Sequence, residues 1–319
     1  MNPLLTALRH TLRSRPLLSL MYGITLIMGL IVALPFYNTL VTEDQNSLAF
    51  LNLLNGFDYT IFSDFLHRSK RSILPLISVG RWLGLTYVFL SVFFAGGILT
   101  RFSQLSSLRS NDSFTIGMFW QACSYYVSRF IWLFGVTLLL VVIGSGIWLV
   151  LGTLIGVVMS DTLTERGQFW IGFFFFWLSA LTATFLLCIG DYAKVIMVRE
   201  DESNAFRAFR RASRLVVRNP GKTYGLYCLL ILIGAGLFGL YFLIDAAVTM
   251  SGWLTILLMF VVQQTLILAR VGIKVWSLGT AYSVYENLLK FQPVPVSQSV
   301  PDSPQELAQS DEDSRYTSE

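Results

Sequence analysis

The residues of this chain best placed to do chemistry are a few charges set in or beside long apolar runs. Asp191 and Lys194 stand three apart at the end of one run, and Arg270 and Lys274 four apart near the end of another. A carboxylate among cations at similar depth has two uses. It can fasten helices as a charge clamp, or it can relay a proton or ion, because partly buried carboxylates mark such paths. The spacing sets Asp191 against Arg270, Lys274 or its own neighbour Lys194, and a clamp is the expected use. Arg81 lies inside Gly80-Arg81-Trp82-Leu83-Gly84, within an apolar run. A charge there costs about 3 kcal/mol on insertion scales unless it snorkels, pairs or meets a ligand. Gln263 and Gln264 are polar residues within another run and suit hydrogen bonds between helices.

Catalytic signatures are missing from the sequence. It contains no G-x-S-x-G, H-E-x-x-H, phosphate-loop or G-x-G-x-x-G pattern, so no enzyme is expected. Asp58, Asp64, His67 and Arg68 form the one cluster that could serve acid–base work. Cys123, Cys188 and Cys228 are scattered and sit in or at the edge of apolar runs, which reads as buried inert thiols. The only histidines, His10 and His67, are far apart. Neither a metal nor a cofactor is expected.

The elements that must position these side chains are membrane spans. Of 319 residues 54% are hydrophobic and only 13% charged, with mean hydropathy +0.62. A soluble domain carries about 25% charged residues. Six runs, near 17–37, 73–99, 131–158, 169–190, 223–245 and 253–276, are long and apolar. About 20 such residues in a helix cross the ~30 Å hydrocarbon layer. They lack the alternation of barrel strands, so helices must satisfy their backbones. The expected fold is all-α, a polytopic transmembrane helical bundle of about six spans with interfacial amphipathic helices. Gly80/Gly84 and Gly152/Gly156 have the G-x-x-x-G spacing of close helix approach.

Between the fourth and fifth runs lies DYAKVIMVREDESNAFRAFRRASRLVVRNPGK, residues 191–222. An amphipathic cytoplasmic helix is expected over 203–218. At about 100° per residue, Ala205, Ala208, Phe209, Ala212, Leu215 and Val216 share one face. Arg207, Arg210, Arg211, Arg214 and Arg218 fill the opposite arc. Pro220, which has no N–H to offer, ends the helix with Asn219 and Gly221. Such a helix should lie on a bilayer with its arginines contacting anionic lipid. Docking of an acidic partner, protein or the chain's own tail, is the alternative. Nucleic acid is excluded as a partner, since no fold or motif for it accompanies the charge.

Lysine and arginine counts orient the chain. With both termini inside, 18 fall in inside segments and four outside, the four being Arg68, Lys70, Arg71 and Arg166. Residues 2–15 form a leucine-faced segment before the first span, which is expected to be an uncleaved helix rather than a signal peptide. Residues 38–72 suggest a re-entrant or surface-lying hairpin. The membrane domain is expected to occupy 1–290, followed by a disordered acidic cytoplasmic tail at 291–319. The tail region 292–319 holds six acids, and the rest, 22 basic against 13 acidic residues, is net +9. A basic residue near a turn leads into a span at Arg15-Pro16, at Arg129 and at Arg218-Asn219-Pro220, which suggests three interfacial-helix-plus-hairpin units.

Asp191-Tyr192-Ala193-Lys194, the Ala/Phe/Arg segment after it, and Asn219-Pro220-Gly221-Lys222 together resemble a group of bacterial six-helix membrane proteins. These proteins are of unknown function and are similar to the membrane domain of glycerophosphodiester phosphodiesterase. The resemblance covers mainly residues 185–245. It implies a bacterial cytoplasmic membrane. That family's activity belongs to a separate soluble barrel with no counterpart in these residues, so no catalytic residue carries over. The functional expectation is a non-enzymatic membrane-organising or accessory subunit. A transporter or channel for a small or lipid-like solute is the alternative, and a lipid-modifying enzyme a distant third.

Overall fold

In the computed structural model the described residues are 3–44, 70–106, 115–159, 164–248 and 252–290. The hairpin expected at 38–72, with Asp58, Asp64 and His67, falls mostly outside them, as does the tail expected at 291–319. Among the described residues every regular element is a helix: α1 Pro3–Arg13, α2 Arg15–Asp44, α3 Lys70–Ser106, α4 Ile116–Val158, α5 Glu165–Arg199, α6 Ala205–Arg218, α7 Tyr224–Ala247 and α8 Trp253–Lys290. Six of these, all but α1 and α6, are long and apolar enough to cross a membrane. The chain is an all-helical membrane protein. It divides into a unit of Met1–Tyr285 and a second of Glu286–Glu319, of which only the last residues of α8 are described.

Helix boundaries follow local chemistry. Ser14 separates α1 from α2, and Pro16 takes an early position of α2, where its missing N–H is no loss. Asn204 caps α6, its side-chain oxygen accepting from the N–H groups of Phe206 at 3.1 Å and Arg207 at 3.3 Å. The helix expected from 203 therefore starts two residues later. At its other end Asn219 N–H turns back to Val216 at 3.2 Å, before Pro220 halts the ladder. α4 has 43 residues, about 64 Å at the helical rise, roughly twice the hydrocarbon thickness. The aromatic stretch before Arg129 is therefore the continuous beginning of a span. α1 and α6 stand as separate helices before their spans.

The core sits toward the end of the bundle that carries α6. Fully buried side chains come from Ile98 and Leu99 of α3, Phe130 and Leu133 of α4, Val195 and Met197 of α5, and Val275 of α8. At the far end apolar side chains lie open, including Val158 at 81%, Phe169 at 65% and Trp253 at 76% exposed. Lipid covers such surfaces in a membrane, so they carry no penalty there.

Small residues set the closest approaches. A Cβ on Gly279 of α8 would come within 2.3 Å of the Phe102 ring of α3, so only glycine admits that contact. Gly190 of α5 faces Thr137 of α4, where a Cβ would stand 2.9 Å from Thr137 Cγ2. Gly80, Gly84 and Gly156 have nothing within 4 Å of such a Cβ. Of the two G-x-x-x-G pairs, only Gly152 packs closely, against Phe175.

The apolar face of α6 is a correction to the sequence reading. Ala208, Ala212 and Val216 are completely buried, and α6 packs on α5 and α4. That stripe meets protein, not lipid. Alanines at i and i+4 let two helices approach closely while giving a bilayer little apolar area to bury.

Candidate functional site

A partly open cavity of about 300 Å³ lies among α3, α4, α5 and α7. Its walls are mainly apolar, with Val88, Val92, Phe134, Leu138, Val141 and Leu187. Polar groups converge at one side: Ser91 of α3, Asp191 and Lys194 of α5, and Tyr227 of α7. Apolar walls with a few placed polar groups are the usual make-up of a small-molecule pocket, and the volume is at the lower end of that range. Gly190 is what leaves room beside Asp191, because it draws α5 against Thr137 without a side chain of its own.

Asp191 Oδ1 accepts from Lys194 Nζ at 2.7 Å, one turn along the same helix. Both side chains are about one-fifth exposed. Of the three partners expected for Asp191, the near neighbour holds the carboxylate. Lys274 of α8 lies close enough to interact electrostatically with Asp191, Lys194 and Arg270. Its ammonium donates to Ser91 Oγ at 2.5 Å and stands 5.1 Å from the centre of the Tyr87 ring. Tyr87 and Ser91 both line the cavity, so α8 reaches the site through them. Arg270 is exposed. Behind Asp191 a narrow gap of about 10 Å³ runs toward Ser277 and Thr280 of α8. The Thr280 hydroxyl is buried there with no hydrogen-bond partner among the described residues.

The other sequence candidates lie away from the cavity. Arg81 is exposed on α3. Gln263 Nε2 donates to Tyr241 OH of α7 at 3.2 Å, and Gln264 Oε1 accepts from Tyr22 OH of α2 at 2.8 Å. These glutamines fasten α8 to two neighbouring helices.

A second polar centre went unread in the sequence: the short loop Glu200-Asp201-Glu202-Ser203 between α5 and α6. Glu200 accepts from Arg211 of α6 and, at 2.6 Å, from Tyr285 OH of α8. Asp201 accepts from Arg129 of α4 at 2.5 Å. Glu202 lies 3.5 Å from Arg207 and 3.4 Å from Arg211. Three acids in a row beside an arginine-rich helix were the available signal; their direction depends on the turn of the loop. The five arginines of α6 thus divide. Arg207 and Arg211 face the chain's own carboxylates, whereas Arg210, Arg214 and Arg218 are exposed. All five are exposed, and Arg207 and Arg211 are shared with Glu200 and Glu202.

Neither a protein-family model, a curated protein nor a solved structure matches this chain.

Proposed function

We propose that this protein is a non-enzymatic bacterial cytoplasmic-membrane protein that binds a lipid-like solute between α3, α4, α5 and α7, as the binding step of a transport or delivery role. The observation that carries the reading is the cavity of about 300 Å³, which joins long apolar walls to a polar side formed by Ser91, Asp191 and Lys194. An acyl chain matches the walls and a head group the polar side. The absence of catalytic signatures supports a non-enzymatic role, and the resemblance to bacterial six-helix membrane proteins supports the membrane assigned. The excess of lysine and arginine in the assigned inside segments supports both termini facing the cytoplasm. In that orientation Arg210, Arg214 and Arg218 meet the anionic inner leaflet.

Photo-crosslinking tests the binding reading. The full chain, reconstituted in vesicles, is irradiated with a lipid that carries a diazirine on its acyl chain, and the labelled peptides are mapped. Label should concentrate on the α3, α4 and α5 peptides around Val88, Leu138 and Leu187. Filling the cavity with Val141→Trp should remove that label and leave the label on exposed Phe173 and Phe174 unchanged. Uniform labelling that ignores Val141→Trp would dispose of the reading.

An accessory-subunit role is the second reading, favoured by the outward guanidinium groups of Arg210, Arg214 and Arg218 on a helix firmly seated on α5 and α4. Crosslinking from Arg214→Cys in native membranes tests it. A single reproducible protein partner supports it, and lipid adducts alone oppose it.

A further inference from the structure

The charges in and directly behind the polar side of the cavity do not balance. Asp191 is the only carboxylate among the lining residues, and Lys194 already holds it at 2.7 Å. Lys274 adds a second ammonium to the same electrostatic neighbourhood, and Arg270, one turn before it, a third positive charge from an exposed position. The nearest carboxylates along the chain after Asp191 are engaged elsewhere: Glu200 and Glu202 by arginines of α6, and Asp201 by Arg129. Lys274 makes its contacts with neutral groups, the Ser91 hydroxyl and the face of the Tyr87 ring.

A half-buried ammonium gains most from an ionised acceptor, because a charge-assisted hydrogen bond is roughly twice as strong as a neutral one. A hydroxyl and an aromatic face supply only part of that. The Ser91 hydroxyl accepts from Lys274, so its own proton remains free to donate toward the cavity. The polar side therefore presents the Lys194 ammonium and a hydroxyl donor against one carboxylate, and the Lys274 ammonium stands behind Ser91 in an adjoining pocket. That arrangement attracts an anion and repels a cation. The walls formed by Val88, Val92, Phe134, Leu138, Val141 and Leu187 offer a bare inorganic ion nothing, but they solvate an acyl chain.

We propose that the cavity takes an amphiphile with an anionic head group, a phosphate or carboxylate, seated at Ser91 beside Lys194 and within the field of the Lys274 ammonium that Ser91 holds. The proposal rests on the reading of the cavity as a lipid-like solute site and names the chemistry of the head group. Lys274 is the selecting residue. Lys194 remains shared with Asp191, which keeps the pair neutral when the site is empty.

The test reconstitutes the full chain in phosphatidylcholine vesicles with trace diazirine-labelled phosphatidylglycerol or diazirine-labelled phosphatidylcholine of identical chains. Labelling of the cavity peptides should favour phosphatidylglycerol by about tenfold. Lys274→Gln should abolish that preference, and Lys274→Arg should retain most of it. Thermal unfolding of each variant identifies any loss caused by misfolding, and Lys274→Arg carries the comparison should Lys274→Gln unfold. Equal labelling by the two lipids in the wild-type protein would overturn the anion assignment while leaving the lipid-binding reading intact. No cavity labelling by either lipid would remove that reading and this one together. Competition by millimolar inorganic phosphate as effective as that by unlabelled phosphatidylglycerol would identify a free anion as the ligand and overturn the amphiphile.

Discussion

Lys194 Nζ lies 2.7 Å from Asp191 Oδ1 within one helix, so this ion pair joins no two helices. The spans are tied elsewhere. Asp201 meets Arg129 across 72 residues of sequence, and Glu200 joins Arg211 of α6 to Tyr285 of α8. The pair at 191 and 194 lines a cavity instead.

Removing one member of that pair exposes the other. Asp191→Asn should cost about 1–2 kcal/mol of stability, because Lys194 loses an ionised partner in a half-buried place. The Asp191→Asn/Lys194→Gln double variant should lose less than the two single variants together. Thermal unfolding of the reconstituted protein reads both numbers. Strictly additive losses would mean that each group answers to a different partner.

The α5–α6 loop depends on one unusual residue. Asp201 holds φ at 50°, a left-handed conformation that aspartate and asparagine tolerate and β-branched residues do not. Asp201→Asn should keep the backbone and lose the Arg129 ion pair, and Arg129→Gln should match it. Asp201→Val should add about 1–2 kcal/mol of backbone strain. Cleavage at Glu200 and Glu202 by a glutamate-specific protease should quicken from wild type to Asn to Val. A valine variant as resistant as wild type would remove the loop from any fastening role.

The two classes of arginine on α6 should separate by experiment. Replacing Arg210, Arg214 and Arg218 with Gln should weaken the selectivity of bound lipid for anionic species, by about 1 kcal/mol per charge at most. Replacing Arg207 and Arg211 should leave that selectivity in place and lower thermal stability instead, since Glu200 and Glu202 lose their partners. Spin-labelled lipids report the first quantity and a melting curve the second. Equal effects of the two variant sets on lipid selectivity would contradict the division.

Thr280 offers a measurement on the wall behind Asp191. Its hydroxyl is buried without a partner among the described residues, so the isosteric Thr280→Val should stabilise the protein by about 1 kcal/mol. A loss of stability on that substitution would reveal a polar contact of the hydroxyl in the membrane-bound protein.

Much of this fold could be read from the residues alone. The six spans were legible because each is an apolar run longer than the hydrocarbon layer is thick, and α6 because Asn219 and Pro220 stop a strongly amphipathic pattern. Gln263 and Gln264 were legible as links between helices, since an amide in an apolar span has few other uses. The cavity was not. A span that is apolar all round carries no mark of which face meets lipid and which meets protein, so the space among α3, α4, α5 and α7 follows only from their packing. The division of the arginines was hidden for a related reason. Helical periodicity put all five on one arc, and the turn at Asp201 decides which of them find carboxylates.

Trp276 Nε1 donates to the carbonyl of Leu4 at 3.0 Å, a contact between residues 272 positions apart. Synthesis delivers the N-terminal end of a chain first. α1 is therefore complete long before its partner leaves the ribosome, and it must wait beside a half-built bundle until the last span is threaded. The seating of that first helix is a late event in biogenesis. A chain cut short before Trp276 would hold α1 without this tie, by contacts such as that of His10 with Phe102, giving the cell's quality-control proteases a looser end by which to recognise an unfinished product.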